Sequence, residues 1–473
     1  MYNAYITRIK NLHKHPNADR LQIGDCFGNA VVVSMEYEDN QLGIYFPSDG
    51  QLSVEFAEAN NLLRKKDENG NNIGGYMDPN KRNVTAIKLR GEKSDGLFLP
   101  LKSLESFGDT TTLKEGDRII TFNGHELCCK YVPRTQSRRG RYSDGNKTRK
   151  KKVNIAPLFS EHADTEQLAY NLGAFKAGDE IEITLKMHGT SQRTGYLPVF
   201  KGYKRTFFDW LFRREGKPIY DWGYVSGTRR TVLENFEGGY YGSNAFREAH
   251  SKFFEGKLNK GEEIFYEVVG YTHTGTPIMA SCNNKKLNDK EFIKQYGEET
   301  VFSYGCYPMP IDVSGFANPE DPNTAFHDIK PQSDIYVYRM TMTNEDGFVV
   351  EYTPDFMRYR CEQMGVKTVP VLWKGVIPME EELPLRYFSN EGESKNPAGE
   401  YIKEIAERYY DGPDPIGKTH IREGVVVRIL NRPKFAAYKH KNWFFKALEG
   451  IVKVEAEMPD MEEAESITED NAE

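Results

Sequence analysis

One stretch decides the fold: Glu180-Ile181-Glu182-Ile183-Thr184-Leu185-Lys186-Met187-His188-Gly189-Thr190-Ser191. Its period-two alternation predicts a strand with Ile181, Ile183 and Leu185 on one face. Lys186 falls on the other face, where His188-Gly189 should begin a turn. A lysine at a strand end beside a glycine turn can meet a phosphate without steric obstruction. Taken alone, the same pattern fits an ordinary exposed lysine before a β-turn.

Four downstream segments have the local form that a nucleotidyl-transfer pocket needs. The strand 262–270 carries a carboxylate opposite an apolar face, and the strand 335–340 has aromatic residues able to stack on a base. The segment 420–428 has an acid followed by Gly and a run of β-branched residues. The segment 438–445 has two lysines at alternate positions. Their candidate residues are Glu267, Tyr338, Glu423, Lys439 and Lys441. Each by itself fits a solvated charge or ring on a strand face, whereas together with Lys186 they favour one site.

These segments resemble, in chain order, the motifs of the covalent nucleotidyltransferases, the superfamily of DNA ligases, RNA ligases and mRNA capping enzymes. The matching stretches are Lys-x-His-Gly-Thr from Lys186, Ser-Gly-Thr-Arg-Arg at 226–230, the two strands, Arg-Glu-Gly at 422–424 and Lys-x-Lys-Asn from Lys439. His188 replaces the commoner Asp and resembles the nick-sealing RNA ligases. The resemblance spans residues 180–446.

The resemblance implies a role for each candidate. Lys186 would be the nucleophile that takes AMP from ATP, with Lys439 and Lys441 as catalytic cations that steady anionic phosphate. Glu423 would hold Mg²⁺ or Mn²⁺, since divalent cations of this kind prefer carboxylate oxygens. The nucleotide would be bound by His188, Gly189, Arg229, Arg230, Glu267 and Tyr338. Arg339 stands where many ligases have Asp, so the match is imperfect beside Tyr338.

The reaction implied is ATP-dependent joining of a 5′-phosphate and a 3′-hydroxyl end of RNA at nicks in a duplex, through a covalent lysyl-AMP and an AMP-capped 5′ end. Two alternatives stay open. One is another enzyme on the same scaffold, a DNA ligase or a GTP-using capping enzyme. The other is a catalytically silent RNA-binding protein.

Residues 1–132 hold short alternating stretches with glycine turns, which predict an all-β OB-fold barrel. Two segments, 12–21 and 86–98, resemble the OB-fold tRNA-binding modules of some tRNA synthetases; the alternative is that Asn17-Ala18-Asp19 and Ser94-Asp95-Gly96 only make tight turns. An OB domain placed before the catalytic domain resembles the Deinococcus-type RNA ligases, which seal breaks whose 3′-hydroxyl strand is RNA.

Charge and composition complete the domain prediction. The net charge of −7 hides a basic segment at 133–152, with nine Lys or Arg against one acid, and an acidic end at 454–473, with nine acids and no Lys or Arg. We predict an α+β chain with an OB domain at 1–132, a basic linker at 133–155, a ligase domain of the ATP-grasp-like kind, with antiparallel sheets and flanking helices, at 156–452, and a disordered tail at 453–473. The helices of the ligase domain should include 233–236 and 398–410. No apolar run long enough to span a membrane and no C-x-x-C spacing occur. A cytoplasmic monomer that acts on RNA is therefore expected.

Overall fold

The computed structural model describes residues 2–132 except 67 and 71, and then 153–162, 165–212, 216–233, 236, 244–272, 275–302, 333–388, 396–417 and 420–455. Most of the predicted linker, the tail from 456 and part of a helix expected at 233–236 lie outside these ranges. Over the described ranges the fold is α+β and dominated by antiparallel sheets, as predicted. No helix in these ranges is long and apolar enough to cross a membrane.

The first part of the chain is built from short strands and one short helix. The strands are β1 (Ala4–Arg8), β2 (Lys10–Lys14), β3 (Leu21–Cys26), β4 (Asn29–Ser34), β5 (Leu42–Phe46), β6 (Gly50–Leu52), β7 (Lys65–Lys66), β8 (Asn72–Gly74), β9 (Asn83–Val84), β10 (Ala86–Leu89), β11 (Glu92–Asp95), β12 (Leu97–Pro100), β13 (Arg118–Ile119), β14 (Thr121–Phe122), β15 (His125–Glu126) and β16 (Cys128–Lys130). Helix α1 (Val54–Ala59) begins at Ser53, whose hydroxyl accepts the Phe56 N–H as an N-cap.

The rest of the chain has longer strands and most of the helices. The strands are β17 (Glu166–Gln167), β18 (Glu180–Leu185), β19 (Thr190–Lys204), β20 (Lys217–Gly227), β21 (Glu262–Gly270), β22 (Ser281–Asn283), β23 (Glu299–Val301), β24 (Ser333–Thr343), β25 (Val349–Glu351), β26 (Lys367–Thr368), β27 (Val371–Val376), β28 (Gly424–Ile429) and β29 (Ala436–Lys441). The helices are α2 (Phe207–Leu211), α3 (Ala245–Phe253), α4 (Lys290–Tyr296), α5 (Pro354–Met364), α6 (Pro397–Glu407) and α7 (Trp443–Glu455). Helix α6 confirms the helix expected near 398–410.

The chain divides into two compact units, and the first combines three stretches of sequence. Unit 1 comprises Met1–Thr135, Ser281–Thr300 and Lys441–Pro459, and unit 2 comprises Gln136–Ala280, Val301–His440 and Asp460–Glu473. Segments far from the amino terminus, including α4 and α7, therefore belong to the same unit as the first 130 residues. The domain boundaries drawn from sequence stay predictions.

Unit 2 is built on two sheets. One has the strand order β17-β29-β28-β18-β27, and the other has the order β20-β19-β21-β24-β25. In the first sheet β18 pairs antiparallel with β28, with Ile181 opposite Ile429 and Leu185 opposite Val425. This register brings the end of β18 beside the start of β28, two positions that lie more than 230 residues apart in sequence.

The predicted apolar face of β18 is confirmed. Ile181, Ile183 and Leu185 are at most 1% exposed. The first two pack against β28 and helix α6 in one core cluster, through residues such as Val427 and Ile402. Burying a side chain of this size contributes about 1.5–3 kcal/mol, so this core holds the strand that ends at Lys186 in one register.

The described strands of the first 132 residues form several small sheets and not a closed barrel. The largest has the order β12-β5-β1-β13, and another has the order β2-β3-β4. Their core includes Ile6, Ile44, Phe46 and Leu52. The stretch is all-β apart from α1 and a 3-10 helix at Leu101–Phe107, and its assignment as an OB fold stays a prediction.

The two segments that resemble tRNA-binding modules contact each other within unit 1. His15 Nε2 lies 3.0 Å from the Leu89 carbonyl oxygen, and Asn17 Nδ2 donates to the Arg90 carbonyl at 3.0 Å. In the second segment Asp95 is 2% exposed and accepts a hydrogen bond of 2.7 Å from Lys446 of α7. The acid of the Ser-Asp-Gly motif therefore anchors the last described helix.

Candidate active site

Lys186 and Glu423 form the centre of the candidate site. Lys186 immediately follows β18, and its N–H donates to the Gly424 carbonyl at 3.0 Å. Its Nζ lies 2.6 Å from Glu423 Oε1, with side-chain exposures of 23% for the lysine and 2% for the glutamate. The lysine thus opens toward solvent while its partner carboxylate is buried. Such a carboxylate requires partners, because an uncompensated buried charge costs several kcal/mol.

His188 supplies the second partner of that carboxylate. Its Nδ1 lies 3.2 Å from Glu423 Oε2, so the glutamate uses one oxygen for the lysine and the other for the histidine. The edge of the His188 ring meets Phe302 at 5.1 Å between centroids, and His420 lies on the other side of Phe302. Burial lowers the pKa of His420. His188 therefore contacts the Glu423 carboxylate on one side and the Phe302 ring on another part of its surface, and so helps to orient the carboxylate.

Gly189 is required by the close approach of β21. A Cβ at this position would lie 2.3 Å from the Val268 carbonyl oxygen and 2.7 Å from Val269 Cγ1. Real Cβ atoms do not approach backbone that closely, so a larger residue would displace the turn after Lys186. The glycine of the motif thus sets how near the turn lies to the Glu267 strand.

Glu267 and Tyr338 lie on neighbouring strands of the second sheet and are both partly buried. Glu267 pairs with Ser191 of β19 on one side and with Tyr336 of β24 on the other. The Ser191 hydroxyl lies 2.9 Å from the Tyr338 hydroxyl. Ser191 was not among the predicted site residues, because its pairing with Glu267 appears only in the sheet.

His162 is a site neighbour that no sequence pattern indicates. Its ring lies 5.1 Å from that of Tyr338 and 5.4 Å from that of Phe265. Arg339 Nη1 lies 3.2 Å from His162 Nδ1, and Arg339 also pairs with Glu351. Because arginine only donates, Nδ1 must be the unprotonated ring nitrogen in this contact. The arginine at the position of the usual Asp is thus built into an internal ion pair.

Arg229 and Arg230 follow β20 in a bend whose backbone carbonyls accept hydrogen bonds from a buried arginine. Arg193, which is 1% exposed, donates from Nε to the Thr228 carbonyl at 2.8 Å and from Nη2 to the Arg230 carbonyl at 3.4 Å. The His162 N–H donates to the Arg229 carbonyl at 3.1 Å. Arg230 is exposed and Arg229 partly buried. Arg193 stands in a polar stretch of β19, 190–194, and no sequence pattern singles it out for this role.

The two lysines of β29 have different surroundings. Lys439 is partly buried and lies opposite Gln167 in the parallel pair of β17 and β29. Lys441 belongs to unit 1, where its Nζ lies 2.8 Å from Glu449 Oε2 of helix α7. The structure therefore groups Lys186, His188, Glu423 and the Glu267 strand in unit 2. Lys441, at the end of β29, pairs with Glu449 of helix α7.

A divalent cation fits the donor set around Glu423. Among the described residues no cluster of three or more His, Cys, Asp and Glu side chains could hold a metal on its own. Mg²⁺ commonly binds one or two carboxylates together with water and substrate phosphates. The buried Glu423 carboxylate beside Lys186 is a donor of that kind, so the cation would be held jointly with a nucleotide phosphate.

Comparisons with known proteins find solved structures whose fold is similar to that of this chain. No family model matches the chain, and no curated protein sequence matches it. An RNA ligase variant of Naegleria gruberi without ligand has 17% identity and a TM-score of 0.51, over 94% of this chain and 97% of the other. A second variant, with ATP and Mn, has 16% identity and a TM-score of 0.51, over 93% and 96%. The chain is therefore similar in fold, over almost its whole length, to the RNA ligase of Naegleria gruberi.

Proposed function

We propose that this protein is an ATP-dependent RNA ligase that works through an adenylate on Lys186. The observation that carries the proposal is the contact of 2.6 Å between Lys186 Nζ and the buried Glu423 carboxylate, at a glycine turn. A divalent cation held by that carboxylate would lie beside the amine and would stabilise negative charge on the phosphate that the amine attacks. The fold of the Naegleria ligase supports the same assignment.

The proposed reaction has three balanced steps. The Lys186 amine loses a proton and attacks the α-phosphorus of ATP, forming a P–N bond while pyrophosphate leaves. A 5′-phosphate oxygen of the RNA then attacks the same phosphorus, the P–N bond breaks, and the lysine regains a proton. Finally a 3′-hydroxyl attacks the capped 5′-phosphorus, releasing a proton and AMP as the phosphodiester forms.

The other residues act on charge and position. Glu423 would bind the divalent cation, which supplies positive charge at the reacting phosphate. His188 would keep that carboxylate in a fixed orientation through its contact with Oε2. Lys439 and Lys441 would neutralise phosphate oxygens. Glu267, Tyr338 and Arg229 or Arg230 would bind the nucleotide, with Tyr338 positioned through Ser191 and His162.

The substrate class is proposed as RNA ends at a nick in a duplex. The support is His188 in the place of the commoner Asp, together with an amino-terminal module that resembles nucleic-acid-binding OB folds. A Deinococcus-type ligase would need RNA on the 3′-hydroxyl side. Sealing of nicks with RNA or DNA placed separately on each side tests this point.

Labelling with α-³²P-ATP in Mg²⁺ or Mn²⁺ tests the adenylate. The wild-type protein should retain label after denaturation, and Lys186→Ala should retain none. Lys176→Ala, which alters an exposed lysine of the same unit, is the matched control and should label like the wild type. Labelling from GTP and not ATP would favour a capping enzyme, and no label from either nucleotide would make the proposal wrong.

A further inference from the structure

The hairpin of β19 and β20 extends far beyond the sheet that carries the site. Strand β21 pairs with β19 only from Thr190 to Gly195, whereas β20 pairs with β19 as far as Lys204. From Ser191 to Lys204 the strand spans about 40 Å at the usual rise of ~3.3 Å per residue. One end of this ribbon contains Ser191 and leads into Arg229 and Arg230, so its root lies in the candidate site.

The far end of the ribbon is capped by an apolar one-turn helix. Helix α2 begins at Thr206, whose hydroxyl and the carboxylate of Asp209 form a capping box. The exposed fractions of its large side chains are 69% for Phe207, 67% for Phe208 and 66% for Trp210, with 54% for Leu211 and 61% for Phe212. At about 100° per residue these side chains cover an arc of about 200°, roughly twice a normal core-facing stripe.

The end of the ribbon next to helix α2 is basic. Lys201, Lys204, Arg205 and Lys217 are exposed. Over residues 201–217 the sequence has six Lys or Arg and two acids, a local charge of +4 in a chain of net charge −7. Cations and exposed rings together at the end of an extended arm form the combination that binds a nucleic acid strand, through phosphates and base faces respectively.

We propose that the β19–β20 hairpin is an arm that grips the RNA substrate about 40 Å from the break. Lysines of the ribbon neutralise phosphates of the flanking strand, and Phe207, Phe208 and Trp210 stack on base faces exposed at the far end of the flank. The inference rests on the proposed function for its choice of RNA. An acidic protein or an anionic bilayer would use the same tip, but neither needs an arm whose root leads into Arg229 and Arg230, which the proposed function places at the nucleotide.

The length of the arm makes the proposal testable with one substrate series. At ~3.4 Å per nucleotide, about 12 nucleotides span 40 Å. Nicked duplexes with blunt flanks of about 6 and about 12 nucleotides, the longer of which ends at the distance of the tip, would be titrated with the full-length protein by fluorescence anisotropy. The triple variant Phe207→Ser/Phe208→Ser/Trp210→Ser should bind the long-flank duplex about tenfold or more weakly, since stacking on each ring strengthens binding severalfold. It should bind the short-flank duplex like the wild type.

A second variant tests the ribbon. Lys201→Gln/Lys204→Gln/Lys217→Gln should lower the slope of log affinity against log salt by about 2–3 on the long duplex, because fewer counterions are released. The control Phe348→Ser/Val350→Ser changes side chains that are 72% and 62% exposed on another strand. This control should keep wild-type affinity and salt slope. Thermal unfolding midpoints of all variants would verify folding.

The outcomes separate this inference from the proposed function. Equal affinity of the tip variant and the wild type for the long duplex would overturn the arm, whatever the labelling result. Recruitment by vesicles of phosphatidylcholine with phosphatidylglycerol that the tip variant loses, at unchanged RNA affinity, would also overturn it and assign the tip to lipid. A wild-type protein that takes no label from ATP, yet loses RNA affinity with the tip, would leave the arm standing and the ligase assignment wrong.

Discussion

Glu423 divides its two carboxylate oxygens between Lys186 and His188, and these contacts join three of the predicted site residues. The contacts are 2.6 Å to the lysine amine and 3.2 Å to His188 Nδ1. A cation that binds the carboxylate would compete with the amine for the same oxygen, and would thereby free the amine for attack. The histidine keeps the second oxygen oriented while this exchange occurs.

Glu423→Gln should therefore reduce the rate of lysyl-adenylate formation by about a hundredfold or more, because the amide cannot bind the cation with a full negative charge. The rate would be measured by labelling with α-³²P-ATP over a range of Mn²⁺ concentrations. Glu345→Gln, at an exposed loop acid, is the control and should retain the wild-type rate. A variant at 423 that labels at the wild-type rate would remove this residue from the site.

Gly189→Ala should impair adenylation as well, because the added Cβ meets the Val268 carbonyl at 2.3 Å. The turn after Lys186 must then move, and we expect a loss of unfolding free energy of about 1–3 kcal/mol, typical of overpacking. Chemical denaturation and the labelling rate would both be measured. Gly173→Ala is the matched control, since nothing lies within 4 Å of a Cβ there, and equal effects of the two substitutions would contradict the argument.

At the scale of elements, helix α3 is hydrogen-bonded to the start of β19. Arg247 is fully buried and donates from Nη1 to the Ser191 carbonyl at 3.0 Å. One turn further on, His250 Nε2 lies 2.8 Å from the Ser333 hydroxyl at the start of β24. Burial lowers the pKa of His250 to about 4. The helix thus ties two strands of the site sheet through one arginine and one histidine that stays neutral at pH 7.

The lowered pKa of His250 predicts acid sensitivity. Between about pH 6.5 and pH 4 the unfolded chain binds a proton at this histidine while the folded chain does not, so stability falls as the pH falls through this window. The contribution is on the order of 1–3 kcal/mol. His250→Gln should show a smaller loss of unfolding free energy between pH 7 and pH 5 than the wild type. His13→Gln, at an exposed histidine, should keep the wild-type loss, and the same slope in all three proteins would refute the prediction.

At the scale of the whole molecule, unit 1 is assembled from three distant stretches of chain. Lys446 of α7 bonds to Asp95, and the ring of Phe444 stacks on Phe292 of α4 at 4.8 Å. Lys88 pairs with Asp289 at 2.8 Å, which joins β10 to the N-cap of α4. The amino-terminal module therefore shares its packing with α4 and with residues that follow Lys441.

A double-mutant cycle measures this assembly. Asp95→Asn and Lys446→Gln should each destabilise the protein, and their coupling should be about 1–3 kcal/mol because the carboxylate is 3% exposed. The cycle would be run by chemical denaturation. The helix-surface pair Glu248 and Lys252, exposed by 40% and 64%, is the control and should couple much more weakly, because solvent screens an exposed ion pair. Additive effects at Asp95 and Lys446 would show that the contact does not hold α7 in place.

The alternation of Ile181, Ile183 and Leu185 was sufficient to predict a strand ending at Lys186, because side-chain direction along a strand depends only on local period. The strands β21, β24 and β28 and helix α6 followed from the same kind of pattern. Only the tertiary structure paired Ser191 with Tyr338, seated His162 beside that ring, and used Arg193 to hold the bend at Arg230. These contacts join residues far apart in the chain, and no local period records them.

The sequence by itself determined which residue types stand at strand ends and turns, and so the candidate nucleophile and its carboxylate. It did not determine which stretches pack together. The inclusion of α7 in unit 1 and the extension of β19 beyond its sheet depend on burial and strand pairing across long separations. Such contacts form only when the chain folds, because their stabilisation comes from removing surfaces of distant segments from water together.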